Sequence, residues 1–120
     1  MHKANLGFRF LLEMAMLAAF AVAPALALES GARWVMVGIF PLGAVALWGV
    51  FATPDDPSRS GSTVVRTPGL VRLLLEWGLF AGAVGLLLRA DQPLYAIALA
   101  IGVVIHYSAW PARIRWMIKN

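Results

Sequence analysis

The chain has 120 residues, 61% of them hydrophobic and 13% charged, with a mean hydropathy of +0.78. Soluble domains carry about a quarter charged residues, so this composition excludes a water-soluble core and points to one compact integral membrane domain. The net charge of +4 sits on residues flanking apolar segments, which leaves no basic face for nucleic acid; the absence of cysteine excludes disulfides, thiolate metal sites and a thiol nucleophile.

A bilayer core takes roughly 20 apolar residues in a helix. Four stretches qualify, at residues 6–28, 34–52, 68–88 and 93–112. Helices are expected rather than barrel strands, because the runs are long and do not alternate. The first span carries Arg9 and Glu13. Its Lys3, apolar run and Ala25-Leu26-Ala27 resemble a secretory signal, but the two charges interrupt the would-be hydrophobic region, so retention is expected. A short turn, residues 29–33, leads into the second span, which has no charge at all. Pro24 and Pro41 fall inside spans, where neighbouring helices can satisfy the freed carbonyls.

Residues 53–67 are rich in Pro, Ser, Asp and Gly and are expected to be a solvated linker between two helical hairpins. Thr67-Pro68 reads as a hydroxyl cap followed by proline at the first helical position of the third span. Asp91-Gln92-Pro93 opens the fourth in a similar way. Residues 112–120 mix Ile114, Trp116, Met117 and Ile118 with three bases and are expected to lie along the membrane surface.

Basic residues set the orientation. Lys3, Arg9, Arg59, Arg66, Arg72, Arg113, Arg115 and Lys119 fall on one side of a four-span protein, and Arg33 and Arg89 on the other. This asymmetry predicts that both termini lie in the cytoplasm. Trp34 and Tyr95 would then mark the outer interface, and Trp110 and Trp116 the inner one.

Two segments repeat each other. Arg9-Phe10-Leu11-Leu12-Glu13 in the first span matches Arg72-Leu73-Leu74-Leu75-Glu76 in the third. The predicted fold is therefore all-α: a membrane four-helix bundle of two tandem, parallel helical hairpins related by a pseudo-twofold axis along the membrane normal. Residues four apart share a helix face, so Arg9, Glu13, Met16, Leu17 and Phe20 form one stripe and Arg72, Glu76, Leu79, Phe80 and Ala83 another. At 1.5 Å per residue, Glu13 and His106 each lie about 10 Å deep, in one layer with Glu76. Ionisable groups at that depth are costly and mark a candidate site: Arg9, Glu13, Arg72, Glu76 and His106. Arg9 is expected to reach Glu76, and Arg72 to reach Glu13. The bland reading is a clamp that fixes helix register; the functional reading is a proton, ion or headgroup site. Carboxylates facing arginines are poor metal ligands, so neither a metal nor a cofactor is implied.

A second pattern is the small-residue face of Gly78, Gly82 and Gly85, with Ala15 and Ala19 at the equivalent places of the first span. Such faces let helices approach closely, inside the bundle or against another chain. The glycines are not a phosphate loop, lacking the strand and the Lys-Ser/Thr that mechanism needs.

Asn5-Leu6 with Arg9-Phe10 and Glu13, Leu47-Trp48-Gly49-Val50-Phe51 followed by Pro54, and Arg72-Leu73 with Glu76 together resemble the YrdB-like proteins, small bacterial four-span membrane proteins of unknown function. The resemblance covers nearly the whole chain. It implies a four-helix bundle and supplies no activity, cofactor or catalytic residue. This chain departs from the usual basic or small residue after that proline in having Asp55-Asp56.

Three functions compete. The first is an accessory or stabilising subunit of a larger membrane assembly, docking another membrane protein or a second copy by the small-residue face. The second is a proton- or ion-coupled transporter using the Glu13/Glu76/His106 layer. The third, an enzyme acting on a lipid or quinone, lacks a nucleophile–base pair, metal motif or phosphate loop. The accessory role is the expected one. Arg9 one turn from Glu13 favours the ionised carboxylate over proton cycling.

Overall fold

A computed structural model describes residues 3–27, 31–59 and 63–120. The protein is all-α. Its helices are α1 (Lys3–Ala27), α2 (Ala32–Val50), α3 (Gly69–Arg89), α4 (Pro93–Ser108) and α5 (Pro111–Lys119). The first three are each long and apolar enough to cross a membrane; α4 and α5 reach that length and hydropathy only when taken together across a 74° bend. Residues 28–30, which include part of the first turn, lie outside the described residues, as do residues 60–62 of the linker.

The charged stripes point inward. Met16, Phe80 and Ala83 are buried in the core beside Leu12, Leu73 and Leu99, with Leu17, Phe20 and Leu79 packed against them. The opposite surfaces are bare apolar side chains, such as Leu42, Leu94 and Val104, as expected of helices whose outer solvent is hydrocarbon. α1 packs against α2 and α3, and α3 also contacts α4 and α5. Where α4 crosses α1 the fit is close: a Cβ on Gly102 would stand 2.8 Å from a Leu12 methyl.

Helix ends depart from the sequence expectation in three places. Thr67 does not cap α3; its hydroxyl donates to the Val65 carbonyl, and Pro68 takes the cap position with Gly69 first in the helix. Proline's fixed φ starts the helix without a hydroxyl cap. α3 ends in a Schellman arrangement in which Gln92 N–H donates to Leu87 O and Asp91 N–H to Leu88 O, with Asp91 at φ 61° doing what glycine usually does. The fourth helix stops at Ser108, short of Ala112, because Pro111 cannot continue it and forces Trp110 out of helical geometry (φ −133°).

The bend that follows brings α5 back across the start of α3. The approach is so close that a Cβ on Gly69 would overlap the Met117 carbonyl. Met117 and Arg113 are buried by this docking, while Arg115, Ile118 and Lys119 stay exposed. The segment is thus a packed helix on one face as well as a surface one. Trp110, expected at the lipid interface, is only 8% exposed and sits under the bend.

The described part of the linker is more than a tether. Phe51–Ala52 pairs in parallel with Val65–Arg66, and Thr67 N–H donates to Ala52 O at 2.8 Å. Asp55 takes a left-handed φ of 64°, which aspartate tolerates, and Asp56 accepts the Ser58 N–H at 2.9 Å in a local turn.

Candidate functional site

Four elements converge on one carboxylate. Glu76 on α3 is completely buried and accepts six hydrogen bonds. Its Oε1 receives Tyr107 Oη at 2.6 Å, Arg113 Nη1 at 3.0 Å and Arg9 Nη1 at 3.4 Å. Its Oε2 receives Arg72 Nε at 2.8 Å, Arg113 Nη2 at 2.8 Å and Arg9 Nη2 at 3.0 Å. Arg9 and Arg113 each engage it with two parallel bonds, the geometry in which guanidinium and carboxylate bind best. A carboxylate offers about four lone-pair sites, so Glu76 is saturated.

The three arginines have further partners, which explains why three fit around one acid. Arg72 sends Nη1 to the Phe51 carbonyl at 2.7 Å and to the Trp48 carbonyl, closing the C-terminal end of α2, where a cation is favoured by the helix dipole. Arg113 donates Nε to Asp56 Oδ1 at 3.0 Å and Nη2 to Asp56 Oδ2 at 2.8 Å. Arg9 holds Glu13 through Nε at 3.3 Å. Three arginines thus face three acids, Glu13, Asp56 and Glu76, with zero net charge. The rings of Trp48 and Trp110 add cation–π faces: Arg9 and Arg72 stand 5.0 and 4.7 Å from the Trp48 centroid, and Arg113 5.9 Å from Trp110.

His106 closes the cluster on the α4 side. Its Nε2 lies 3.4 Å from Arg9 Nη1 and its Nδ1 2.8 Å from Asn5 Oδ1. Arginine can only donate, so Nε2 accepts and Nδ1–H donates, and the ring is the neutral Nδ1–H tautomer. In the linker, burial would push the Asp56 carboxyl up, but the hydrogen bonds and charge of Arg113 and the Ser58 N–H hold it below the ordinary aspartate value.

A family profile described as "Protein of unknown function (DUF2568)" matches residues 7–105, which takes in Arg9, Glu13, Asp56, Arg72 and Glu76 and ends just before His106 and Tyr107. The chain belongs to this family. It is also 33% identical to the uncharacterised protein YrdB of Bacillus subtilis (strain 168), over all of this chain and 98% of that one. No solved structure matches.

Within this DUF2568 chain, the residues singled out from sequence fall into three groups. Arg9, Arg72, Glu76 and His106 meet in the cluster. Glu13 stands at its edge, with its side chain 22% exposed, and is paired through Arg9 alone among the described residues. Arg9 does cross to Glu76, but Arg72 does not cross to Glu13; it folds back on Glu76, four residues along its own helix, because its remaining donors are drawn to the end of α2. The small-residue face divides: Ala19 is buried, a Cβ on Gly82 would stand 3.6 Å from the Phe20 ring, and Ala15, Gly78 and Gly85 are exposed.

Sequence reasoning missed Arg113, Asp56, Tyr107 as a ligand of Glu76, and Asn5. Pro111 carried the signal for Arg113, since a break there is what turns α5 back onto α3. For Asp56 the signal was the departure from the family pattern at Asp55-Asp56.

Beside Glu13 lies a polar cavity of about 330 Å³, walled by Arg9 and Arg72, by Trp48 and Gly49 of α2, and by Ser58 and Arg59 of the linker. A larger apolar groove of about 630 Å³ runs along the other side of α1, between Leu11, Ala15 and Val22 and the α4 residues Tyr95 and Leu99.

Proposed function

We propose that this protein is a small accessory subunit that stabilises a larger assembly in the bacterial inner membrane. The bundle would be two tandem parallel hairpins with both termini and the linker cytoplasmic, as the eight-to-two distribution of Lys and Arg favours. The observation that carries the reading is the saturation of Glu76. A carboxylate with three donors on each oxygen and no exposure has no lone pair left for a passing proton or ion. The intramembrane charges are consumed in holding α1, α3, α4 and α5 in register. What remains for an outside partner is surface: Gly78 and Gly85 stand on α3 with no atom within 4 Å of a would-be Cβ. Such a face fits a transmembrane helix of another membrane protein or of a second copy.

Photo-crosslinkers placed at Gly78, Gly85 and Ala15 in intact membranes test this. Crosslinks to one discrete membrane protein from those positions, and none from Leu42 on the far side of α2, are the expected outcome. Equal or absent crosslinking from the two faces would remove the proposal. A transporter reading is favoured by a different observation, that Glu13 retains exposure and faces the polar cavity. Proteoliposomes carrying a pH-sensitive dye separate the two: Glu13-dependent proton flux supports transport, and a tight bilayer supports the accessory role.

A further inference from the structure

We infer that the polar cavity beside Glu13 binds a phosphate-bearing anion, with Arg59 as its principal ligand. The charge balance of the cavity points there first. Arg9, Arg72 and Arg113 are matched one for one by Glu13, Asp56 and Glu76. Arg59, on the linker wall of the cavity, is a fourth guanidinium with no acid to match it in the cluster. Its Nη1 is shielded from solvent and has no hydrogen-bond partner among the described residues. A shielded guanidinium nitrogen without an acceptor is costly, and a turn of the Arg59 side chain that brings Nη1 onto an anionic oxygen in the cavity removes that cost.

Size and location narrow the class. About 330 Å³ far exceeds a halide and suits a phosphate ester with part of its alcohol. Guanidinium forks match phosphate oxygens, and Ser58 lines the same wall. The cavity lies where the first half of α1, the end of α2 and the linker meet, and the linker wall is the side from which a lipid phosphate at the interface would reach it. Glu13 faces the same space and would repel a dianion. One surplus positive charge against that carboxylate favours a singly charged phosphodiester, the form carried by an anionic phospholipid headgroup, over a free phosphate monoester. This inference does not depend on the accessory role, since a lipid site is compatible with either functional reading.

The test uses the full chain in non-ionic detergent. Native mass spectrometry would compare phosphatidylglycerol with phosphatidylcholine, and calorimetry would follow the soluble glycerophosphoglycerol and glycerol phosphate. Two variants accompany the wild type: Arg59→Gln removes the charge, and Gly49→Leu fills the cavity from a position whose Cβ meets no atom within 4 Å. Retention of phosphatidylglycerol about tenfold tighter than phosphatidylcholine, lost in both variants while their melting temperatures hold, is the expected result. Arg59-dependent binding of the soluble esters at the same strength would assign the site to free phosphate esters. Equal retention of the two lipids with no Arg59-dependent binding of either ester would overturn the inference, as would a preference that survives both variants.

Discussion

The two Arg-x-x-x-Glu motifs share a spacing and a helical setting, yet their acids end in opposite circumstances. Glu76 is fully buried with six donors; Glu13 is partly open and tied through Arg9. The difference comes from what arrives from elsewhere in the chain. Around Glu76, the bend at Pro111 delivers Arg113, α4 delivers Tyr107, and α1 delivers Arg9. Around Glu13 there is a cavity instead. A local repeat therefore fixes which residues face inward and leaves their partners to tertiary structure.

Among changes to the groups that surround the two acids, Arg113→Gln is expected to produce the largest effect. It strips two bonds from Glu76 and both charged bonds from Asp56, leaving buried charge uncompensated at a cost of about 3–5 kcal/mol. Double-mutant cycles sharpen the point: Arg113 should couple strongly to Glu76 and weakly to Glu13. Equal coupling to both would erase the distinction drawn between the motifs.

Gly69→Ala should come next. The added methyl meets the Met117 backbone and must lift α5 from α3, an overpacking cost of about 1–3 kcal/mol. Because α5 carries Arg113, the same change should raise the protease sensitivity of the C-terminal segment and leave Arg9–Glu13 undisturbed. Unchanged proteolysis would show that α5 docks some other way.

The smallest of these effects is a pH dependence at the linker. The Asp56 carboxyl titrates lower in the folded protein than in the unfolded chain, so its stabilising contribution is complete above roughly pH 4. That contribution is lost as the pH falls through the lowered folded value. Thermal melts of the wild type and Asp56→Asn should therefore converge in acid and separate near neutrality. A constant gap across that range would mean that Asp56 does not gain its stability from ionisation.

How much of this was legible beforehand varies with the range of the interaction. The inward stripes followed from four-residue spacing, and the Arg9–Glu76 contact from opposing the two stripes. The all-α class and the first three long apolar helices followed from the length and hydropathy of the runs, whereas the fourth run divides into the shorter α4 and the bent-back α5 at Pro111. Arg113 was hidden because, read as one of three bases in a surface tail, it had no fixed direction until Pro111 was recognised as a break. Asp56 was hidden for a related reason: a loop carboxylate declares no partner in sequence, and its partner lies 57 residues away. The exchange of Arg72–Glu13 for Arg72–Glu76 reflects competition from the carbonyls that end α2, which no side-chain pattern displays.

The most direct test of the central claim is a side-by-side measurement of folded yield and thermal stability in detergent for Glu76→Gln and Glu13→Gln. Glu76→Gln should leave three buried guanidinium groups short of charge and abolish or severely reduce the folded protein, a loss of about 3–5 kcal/mol or more. Glu13→Gln, at the open edge, should stay within about 1 kcal/mol of wild type. Equal losses in the two variants, or a stable Glu76→Gln, would contradict the account.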